Sequence, residues 1–177
     1  MKILLPLLFI LNLNLLVSQP TIEWQKSLGG PFDDFSEQIQ QTSDGGYIVV
    51  GHSSSWSGDV TGNNGSFDYW VVKLTNTGNI SWQKSLGGTS IDRAYSIDQT
   101  SDGGYIISGW ISSNNGDITG YHGGGDIWLV KLTSTGSISW QKCLGGSNHD
   151  SAPSIEQTTD GGYIVGGYSG SSDGDVI

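Results

Sequence analysis

The sequence has few of the residues on which disulfide bonds, zinc centres and nucleic-acid interfaces depend. Its 177 residues include one cysteine, three histidines, and seven lysines and arginines against 17 aspartates and glutamates. The single cysteine, Cys143, cannot form a disulfide within the chain. The net charge of −10 argues against a nucleic-acid partner, because phosphate binding needs clustered basic side chains. Arg93 is the only arginine, so an arginine triad that clamps a carboxylate is excluded.

The sequence also lacks a helical pattern. No segment has apolar residues at helical spacing over three turns, which a helix packed on a core would need. The chain instead contains 28 glycines and 7 tryptophans, a mixture too aromatic for a disordered linker and too rich in glycine for a helical protein. The composition therefore predicts an all-β fold.

The N-terminus predicts a signal peptide over residues 1–19. Lys2 precedes an apolar stretch that extends from Ile3 to Val17, and Ser18 and Gln19 offer a cleavage point. This stretch is shorter than the roughly 20 residues that a membrane-spanning helix requires. We expect a secreted or cell-surface protein whose mature chain has no membrane span.

A repeat with a period of 58 residues dominates the remaining sequence. Trp24, Trp82 and Trp140 are separated by this step, and the tetrapeptide DGGY recurs in the same register. Its aspartates are Asp44, Asp102 and Asp160. Repetition at a fixed period is typical of propellers and solenoids, in which each unit buries its apolar faces against its neighbours.

Each unit divides into four strand-like segments, which we letter a to d. In the middle unit they are predicted at Ala94–Thr100, Tyr105–Ile111, Asp126–Thr133 and Ile138–Leu144, separated by Gly-rich turns and one long loop. Four antiparallel strands in about 40 to 60 residues match a β-propeller blade. The predicted fold is a partial, open ring of such blades, with a solenoid-like stack of sheets as the alternative.

The repeat also predicts the organisation of the chain. An orphan strand d over Thr21–Leu28 precedes the first complete unit, and we expect it to pair with a final blade in a longer chain and so close the ring. The predicted segments are the signal peptide (1–19), the orphan outer strand and first loop (20–34), blade 1 (35–92), blade 2 (93–150) and a truncated blade 3 (151–177).

These motifs resemble the tandem DGGYIVxG repeats of secreted and surface proteins of Bacteroidetes-type bacteria. The resemblance covers the chain after the leader and is carried by WQKSLGG at 24–30 and 82–88, TSDGGYI at 42–48 and 100–106, and WVVKL at 70–74. It implies a β-propeller related to the kelch-like and quinoprotein-like repeats, and an exported protein. The TSDGG segments also resemble the Asp-box turn of sialidase-like propellers. The resemblance implies little about activity.

Most of the repeated residues are predicted to have structural roles. Asp44, Asp102 and Asp160 should accept hydrogen bonds from their own turns and fix each hairpin. The recurring tryptophans should fill the same packing position in every unit, and the recurring lysines should pair with acidic neighbours or cover tryptophan rings. These tryptophans are Trp24, Trp70, Trp82, Trp128 and Trp140.

The long loops are the best candidates for a binding site. In a blade, the d-to-a and b-to-c connections emerge on one face, and these loops are rich in aspartate and glycine. Trp56 is an aromatic residue of the loops that does not recur, and we predict that it contacts ligand together with Asp59, Asp117 and Asp126. Calcium is a further candidate, with Asp59, Asp68, Asp117 and Asp126 as ligands. The alternative is that these aspartates are solvated turn residues.

The sequence predicts a non-enzymatic binding or adhesion module. No catalytic residue is assigned, because no nucleophile lies beside a base and the adjacent Asp33 and Asp34 should point apart. Beyond the calcium candidate no cofactor is expected. The expected partners are an extracellular glycan, a surface protein or further repeats. Two alternatives stay open, a carbohydrate-active propeller of the sialidase-like type and a structural spacer for another domain.

Overall fold

Ten antiparallel strands make up the fold in a computed structural model, which describes residues 19–175. All but the last residue of the predicted signal peptide therefore lies outside the described residues. The strands are β1 (Asp34–Gln41), β2 (Tyr47–Ser53), β3 (Asp68–Leu74), β4 (Ile80–Leu86), β5 (Asp92–Gln99), β6 (Tyr105–Ile111), β7 (Asp126–Leu132), β8 (Ile138–Leu144), β9 (Asp150–Gln157) and β10 (Tyr163–Ser169).

The strands form three sheets in which each strand pairs with the next one along the chain. Sheet 1 has the order β1-β2-β3-β4, sheet 2 the order β5-β6-β7-β8, and sheet 3 contains β9 and β10. The predicted all-β fold of tandem four-stranded antiparallel sheets is therefore confirmed. Each sheet begins one residue before the predicted blade boundary, at an aspartate.

The DGGY turns show why each unit forms the same hairpin. In sheet 2, Gly103 has a φ of +79°, a conformation that glycine adopts without a steric penalty. The next residue, Gly104, must also be glycine, because a Cβ there would collide with the carbonyl oxygen of Leu132. The two glycines therefore have different roles, since only the first needs a positive φ.

Consecutive sheets pack face to face. Ile48, Val50 and Val71 of sheet 1 share a buried cluster with residues of sheet 2, including Ile97 and Trp128. A smaller cluster joins sheets 2 and 3. Each sheet thus covers one apolar face of its neighbour, which is the packing that the 58-residue period predicted.

The outer faces of sheets 1 and 3 are largely uncovered. Ile39 in β1 is 58% exposed, whereas Ile97, one repeat later, is 1% exposed. Ile164 in β10 is 61% exposed, whereas the equivalent Ile106 is fully buried. Position in the stack, and not residue type, therefore decides which isoleucines are buried.

Residues Thr21–Leu28, predicted as an orphan strand d, form no strand within the described part of the chain. A strand requires a hydrogen-bonded neighbour, and the described residues supply no strand c beside this segment. Trp24 and Leu28 nevertheless pack against Trp70, Val72 and Leu74 on the outer face of sheet 1. The segment therefore partly covers this face without joining the sheet.

Candidate functional site

The long loops do share one face of the molecule, which we call the long-loop face, and backbone hydrogen bonds hold them together. The amide nitrogen of Asp117, in the b-to-c loop of sheet 2, lies 3.0 Å from the carbonyl oxygen of Gly87, in the preceding d-to-a loop. Asp59 donates in the same way to Gly29 at 2.9 Å, and Asp175 to Gly145 at 2.9 Å. This face consists of the d-to-a loops (28–33, 87–91 and 145–149) and the b-to-c loops (54–67, 112–125 and 170–175).

Two of the predicted ligand-binding aspartates link these loops. Oδ2 of Asp59 accepts a hydrogen bond from the amide of Gly29 at 3.2 Å, and Oδ2 of Asp117 accepts one from the amide of Gly87 at 3.2 Å. Both carboxylates are half-buried. Their described contacts tie each b-to-c loop to the loop of the preceding unit.

A second set of aspartates, whose role the sequence analysis missed, anchors the same loops. Oδ2 of Asp92, the first residue of β5, accepts hydrogen bonds from the Gly88 amide at 2.8 Å and the Ser113 hydroxyl at 2.7 Å. Asp34 and Asp150 make the equivalent contacts. The signal was present in the sequence, because these aspartates and their serines also recur at the 58-residue step.

The other two predicted calcium ligands, Asp68 and Asp126, are fully buried at the starts of β3 and β7. Oδ2 of Asp68 accepts a hydrogen bond from the Asn64 amide at 2.8 Å, whereas Oδ1 has no hydrogen-bond partner. Asp126 repeats this arrangement with His122, whose Nδ1 lies 2.7 Å from Oδ2. Burial raises the pKa of Asp68 to about 7 and also raises the pKa of Asp126.

The four predicted calcium ligands do not converge on one point. Within residues 19–175, no three side chains of histidine, cysteine, aspartate or glutamate form a group that could hold a metal ion. Asp59 and Asp117 hold glycine amides, and Asp68 and Asp126 lie buried under the loops. Calcium binding stays a prediction, and these four carboxylates do not share a common centre at which an ion could bind.

The repeated tryptophans have equivalent surroundings. Trp24, Trp82 and Trp140 meet Tyr47, Tyr105 and Tyr163 edge to face, with ring centroids 5.6, 5.9 and 5.6 Å apart. Trp70 and Trp128 are buried and donate from Nε1 to Gln83 and Gln141 at 3.0 and 2.5 Å. All five tryptophans therefore pack as parts of the scaffold.

The repeated turn aspartates bind their own turns and also a buried lysine. Oδ1 of Asp102 accepts hydrogen bonds from Thr100 Oγ1 at 2.5 Å and from the Gly104 amide at 2.9 Å, and Oδ2 lies 2.9 Å from Lys131 Nζ. Asp44 makes the same contacts, including one with Lys73. Asp160 binds its turn but has no lysine within ion-pair distance among the described residues. These contacts lower the pKa of Asp102, the Thr100 hydrogen bond most of all.

Trp56 differs from the other tryptophans because its ring lies on the surface. It is 66% exposed, and its ring centroid lies 4.5 Å from that of Phe32 in the neighbouring d-to-a loop. Phe32 also lines a cavity of about 530 Å³ together with Asp33 and Asp59. Phe32 and Trp56 are 24 positions apart in the sequence. The sequence therefore identified Trp56 as a candidate ligand contact but not the Phe32 ring that supports it.

His52 is buried between two other aromatic rings. Its imidazole stacks on Phe35 at a centroid distance of 4.9 Å and meets Phe67 edge to face at 5.4 Å. Burial, with a smaller contribution from the Arg93 charge, lowers the pKa of His52 to about 4. The imidazole is therefore neutral at physiological pH and packs as an aromatic ring.

No helix in the described part of the chain is long and apolar enough to cross a membrane.

Comparisons with known proteins do not assign the chain to a family. No family model matches the sequence, and no curated protein matches it. The function must therefore be inferred from the geometry of the long-loop face.

Proposed function

We propose that the chain is a non-enzymatic extracellular module that binds neutral carbohydrate on its long-loop face. The observation that carries this proposal is the exposed ring of Trp56, which is backed by Phe32. A rigid aromatic face stacks on the C–H face of a sugar ring and gives contact area at a small cost in conformational entropy.

The repeat itself supports a binding role for this pair. The positions equivalent to Trp56 hold Asn114 and Ser172, and those equivalent to Phe32 hold Ser90 and Asn148. The loops therefore fold without either aromatic ring. An exposed tryptophan that the fold does not require favours contact with another molecule.

The polar groups beside the pair suit the hydroxyl groups of a sugar. Asp33 and Asp59 line the cavity next to Phe32, and carboxylate oxygens accept hydrogen bonds from hydroxyl groups. A neutral sugar meets no charge repulsion from these carboxylates, unlike an anionic one. The arrangement thus favours neutral glycans over acidic glycans at this position.

The experiment is a glycan array of neutral and acidic oligosaccharides, followed by calorimetric titration of the strongest neutral binder. We expect Trp56→Ala to weaken binding by about tenfold or more, which corresponds to the loss of roughly 1.4 kcal/mol of stacking. Trp56→Phe keeps a ring and should retain most of the affinity.

The matched control is Trp140→Ala, which removes a partly exposed tryptophan of the scaffold and should leave sugar affinity unchanged. An array without a neutral binder, or equal affinity of the wild type and Trp56→Ala, would rule out the proposal. The first of these results would instead support the structural spacer.

A further inference from the structure

A second group of residues breaks the repeat at the ends of the inner strands, next to the long-loop face. Arg93 in β5 and Trp110 in β6 are directly paired across sheet 2. The equivalent pairs are Phe35 with His52 in sheet 1 and Ser151 with Tyr168 in sheet 3. The scaffold does not fix the residue type at these positions, so their chemistry is free to serve another purpose.

Arg93 has no carboxylate partner among the described residues, and the polar group beside its side chain is the Tyr95 hydroxyl. Its Nε is buried and makes no hydrogen bond, and among residues 19–175 no carboxylate oxygen lies within 4.0 Å of its nitrogens. The guanidinium carbon lies 5.5 Å from the centroid of the Phe67 ring. In a protein with a net charge of −10, carboxylates are abundant, so an arginine without a carboxylate partner is unexpected.

Aromatic rings beside Arg93 continue toward solvent. The rings of Trp110 and His149 stack with centroids 5.3 Å apart, and those of His149 and Tyr168 stack at 5.5 Å. Nε1 of Trp110 is a second buried donor without an acceptor, and Tyr168 is 59% exposed. The region therefore holds two buried N–H donors without acceptors, next to an aromatic stack whose outermost ring is exposed.

We propose that Arg93 binds the carboxylate group of a small acidic ligand at the long-loop ends of β5 and β6. The planar guanidinium matches a carboxylate with two parallel hydrogen bonds, and the aromatic rings limit the competition from water. This site goes beyond the neutral-sugar function, because it uses different residues and binds an acidic ligand instead of a neutral one.

The Glu37 carboxylate opposes an anion in this region. Oε1 of Glu37 lies 3.8 Å from Nδ1 of His52, and the charges of Glu37 and Arg93 both act on the Tyr95 hydroxyl. The neutral His52 does not cancel the Glu37 charge. Replacing Glu37 with glutamine should therefore strengthen the binding of a carboxylate by roughly threefold at low ionic strength.

The single arginine makes the test specific, because the full-length chain has one arginine Nε–H signal in a nitrogen-15 correlation spectrum. The probe is glucuronate, and the matched control ligands are glucose and the neutral methyl ester of glucuronate. We expect glucuronate to shift the Arg93 signal in a saturable manner, with an affinity of about 1 mM, and the two neutral sugars to leave it in place.

Variants separate a specific site from a general charge effect. In Arg93→Gln, the Trp110 indole N–H signal, assigned from Trp110→Phe, replaces the arginine reporter and should no longer respond to glucuronate. The control Lys142→Gln removes an exposed cation elsewhere and should leave the affinity unchanged. A shift that does not saturate, an equal shift with the methyl ester, or an unchanged response in a folded Arg93→Gln protein would overturn the proposal.

The outcomes are also independent of the Trp56 site. Trp56→Ala should leave the Arg93 signal and its response to glucuronate intact, since Trp56 has no described contact with Arg93. Loss of both responses in Trp56→Ala would show one shared site and would contradict the inference.

Discussion

The buried carboxyl group of Asp68 makes the stability of the protein depend on pH. Its side chain is fully buried, one oxygen is hydrogen-bonded to the Asn64 amide, and the other has no partner. Burial raises the pKa of Asp68 from 3.8 to about 7, and the nearby charge of Asp92 adds to this effect. Since a raised pKa stabilises the protonated form, the contribution of Asp68 to stability is fully present below about pH 4 and is lost as the pH rises through about 7.

The first prediction follows from the direction of this pH dependence. Asp68→Asn keeps the shape of the side chain and removes its charge, so the variant should match the wild type near pH 4 and be more stable than it near pH 8. The difference should grow by about 1 kcal/mol per pH unit between about pH 4 and 7 and level off above the raised pKa. Urea unfolding across this range measures it, and a difference that is independent of pH would contradict the prediction.

The titration of His52 changes stability with pH in the direction opposite to that of Asp68. Because burial lowers its pKa to about 4, its contribution is present above about pH 6.5 and is lost as the pH falls through about 4. The two effects partly cancel in the wild type. The comparison of Asp68→Asn with the wild type isolates the carboxyl group, since His52 is common to both proteins.

The sequence predicts the role of a residue well where that role repeats. Trp24, Trp82 and Trp140 could be assigned to packing because a residue type that recurs in every unit fills the same space. Arg93 and Glu37 could not be assigned to a site in this way, because contacts between neighbouring units depend on the stagger of the sheets. The break in the repeat was the available signal, and it identified Trp56 but not Phe32.

In sheets 1 and 2, the ion pair between the DGGY turn and strand c links three strands. Asp102 lies in the turn between β5 and β6, whereas Lys131 lies in β7 and its side chain is 5% exposed. Lys131 Nζ also donates to the carbonyl oxygen of Leu132 at 3.0 Å. Loss of the carboxylate would leave a buried ammonium group with an incomplete set of acceptors, which is costly.

The second prediction compares two equivalent turns. Asp102→Ala should destabilise the protein by about 1 to 3 kcal/mol, because Lys131 loses its partner and the turn loses two hydrogen bonds. Asp160→Ala, at the same position of sheet 3, should destabilise the protein less, since Asp160 has no described lysine partner and its loss leaves no buried charge unpaired. Chemical denaturation of both variants measures the difference.

A double variant tests the cause. Replacing Lys131 with methionine in the Asp102→Ala protein removes the unpaired charge and should recover part of the lost stability. If the double variant is less stable than Asp102→Ala alone, the cost arises in the turn and not at the lysine.

Strands inside a unit could be predicted almost to the residue, whereas the strand at the start could not. Alternating apolar residues and Gly-rich turns define β5 to β8 locally. The segment Thr21–Leu28 has the same sequence pattern as β8, yet it forms no strand because pairing needs a neighbour. Its pairing with a final blade stays a prediction.

At the scale of the whole molecule, stability comes from the stacking of similar sheets. The same residue type is buried or exposed depending on whether a neighbouring sheet covers it, as Ile97 and Ile39 show. This dependence is the expected behaviour of repeat proteins, in which the interface between units supplies much of the stability.

The third prediction uses this pair. Ile97→Asn places a polar group in the cluster between sheets 1 and 2 and should cost at least about 3 kcal/mol. Ile39→Asn, the same change one repeat earlier, should alter stability by about 0.5 kcal/mol or less. Thermal unfolding of the two variants measures the contrast, and similar losses would mean that the outer face of sheet 1 is covered in solution.

Face-to-face stacking could be predicted from the period, because a sheet that is apolar on both faces needs two neighbours. The choice between a ring and an open stack could not be predicted from the period, since both arrangements bury the same faces of each sheet. The angle between successive sheets decides it, and that angle depends on side-chain volumes at the interface that no spacing rule describes.

The segment that crosses the outer face of sheet 1 gives the stack a direction. Trp24 and Leu28 shield part of that apolar surface, whereas Ile164 and Tyr168 leave the opposite end bare. The two outer faces of the described sheets therefore differ in how much apolar surface they expose. A partner that recognises apolar surface would therefore find more of it beside β10 than beside β1.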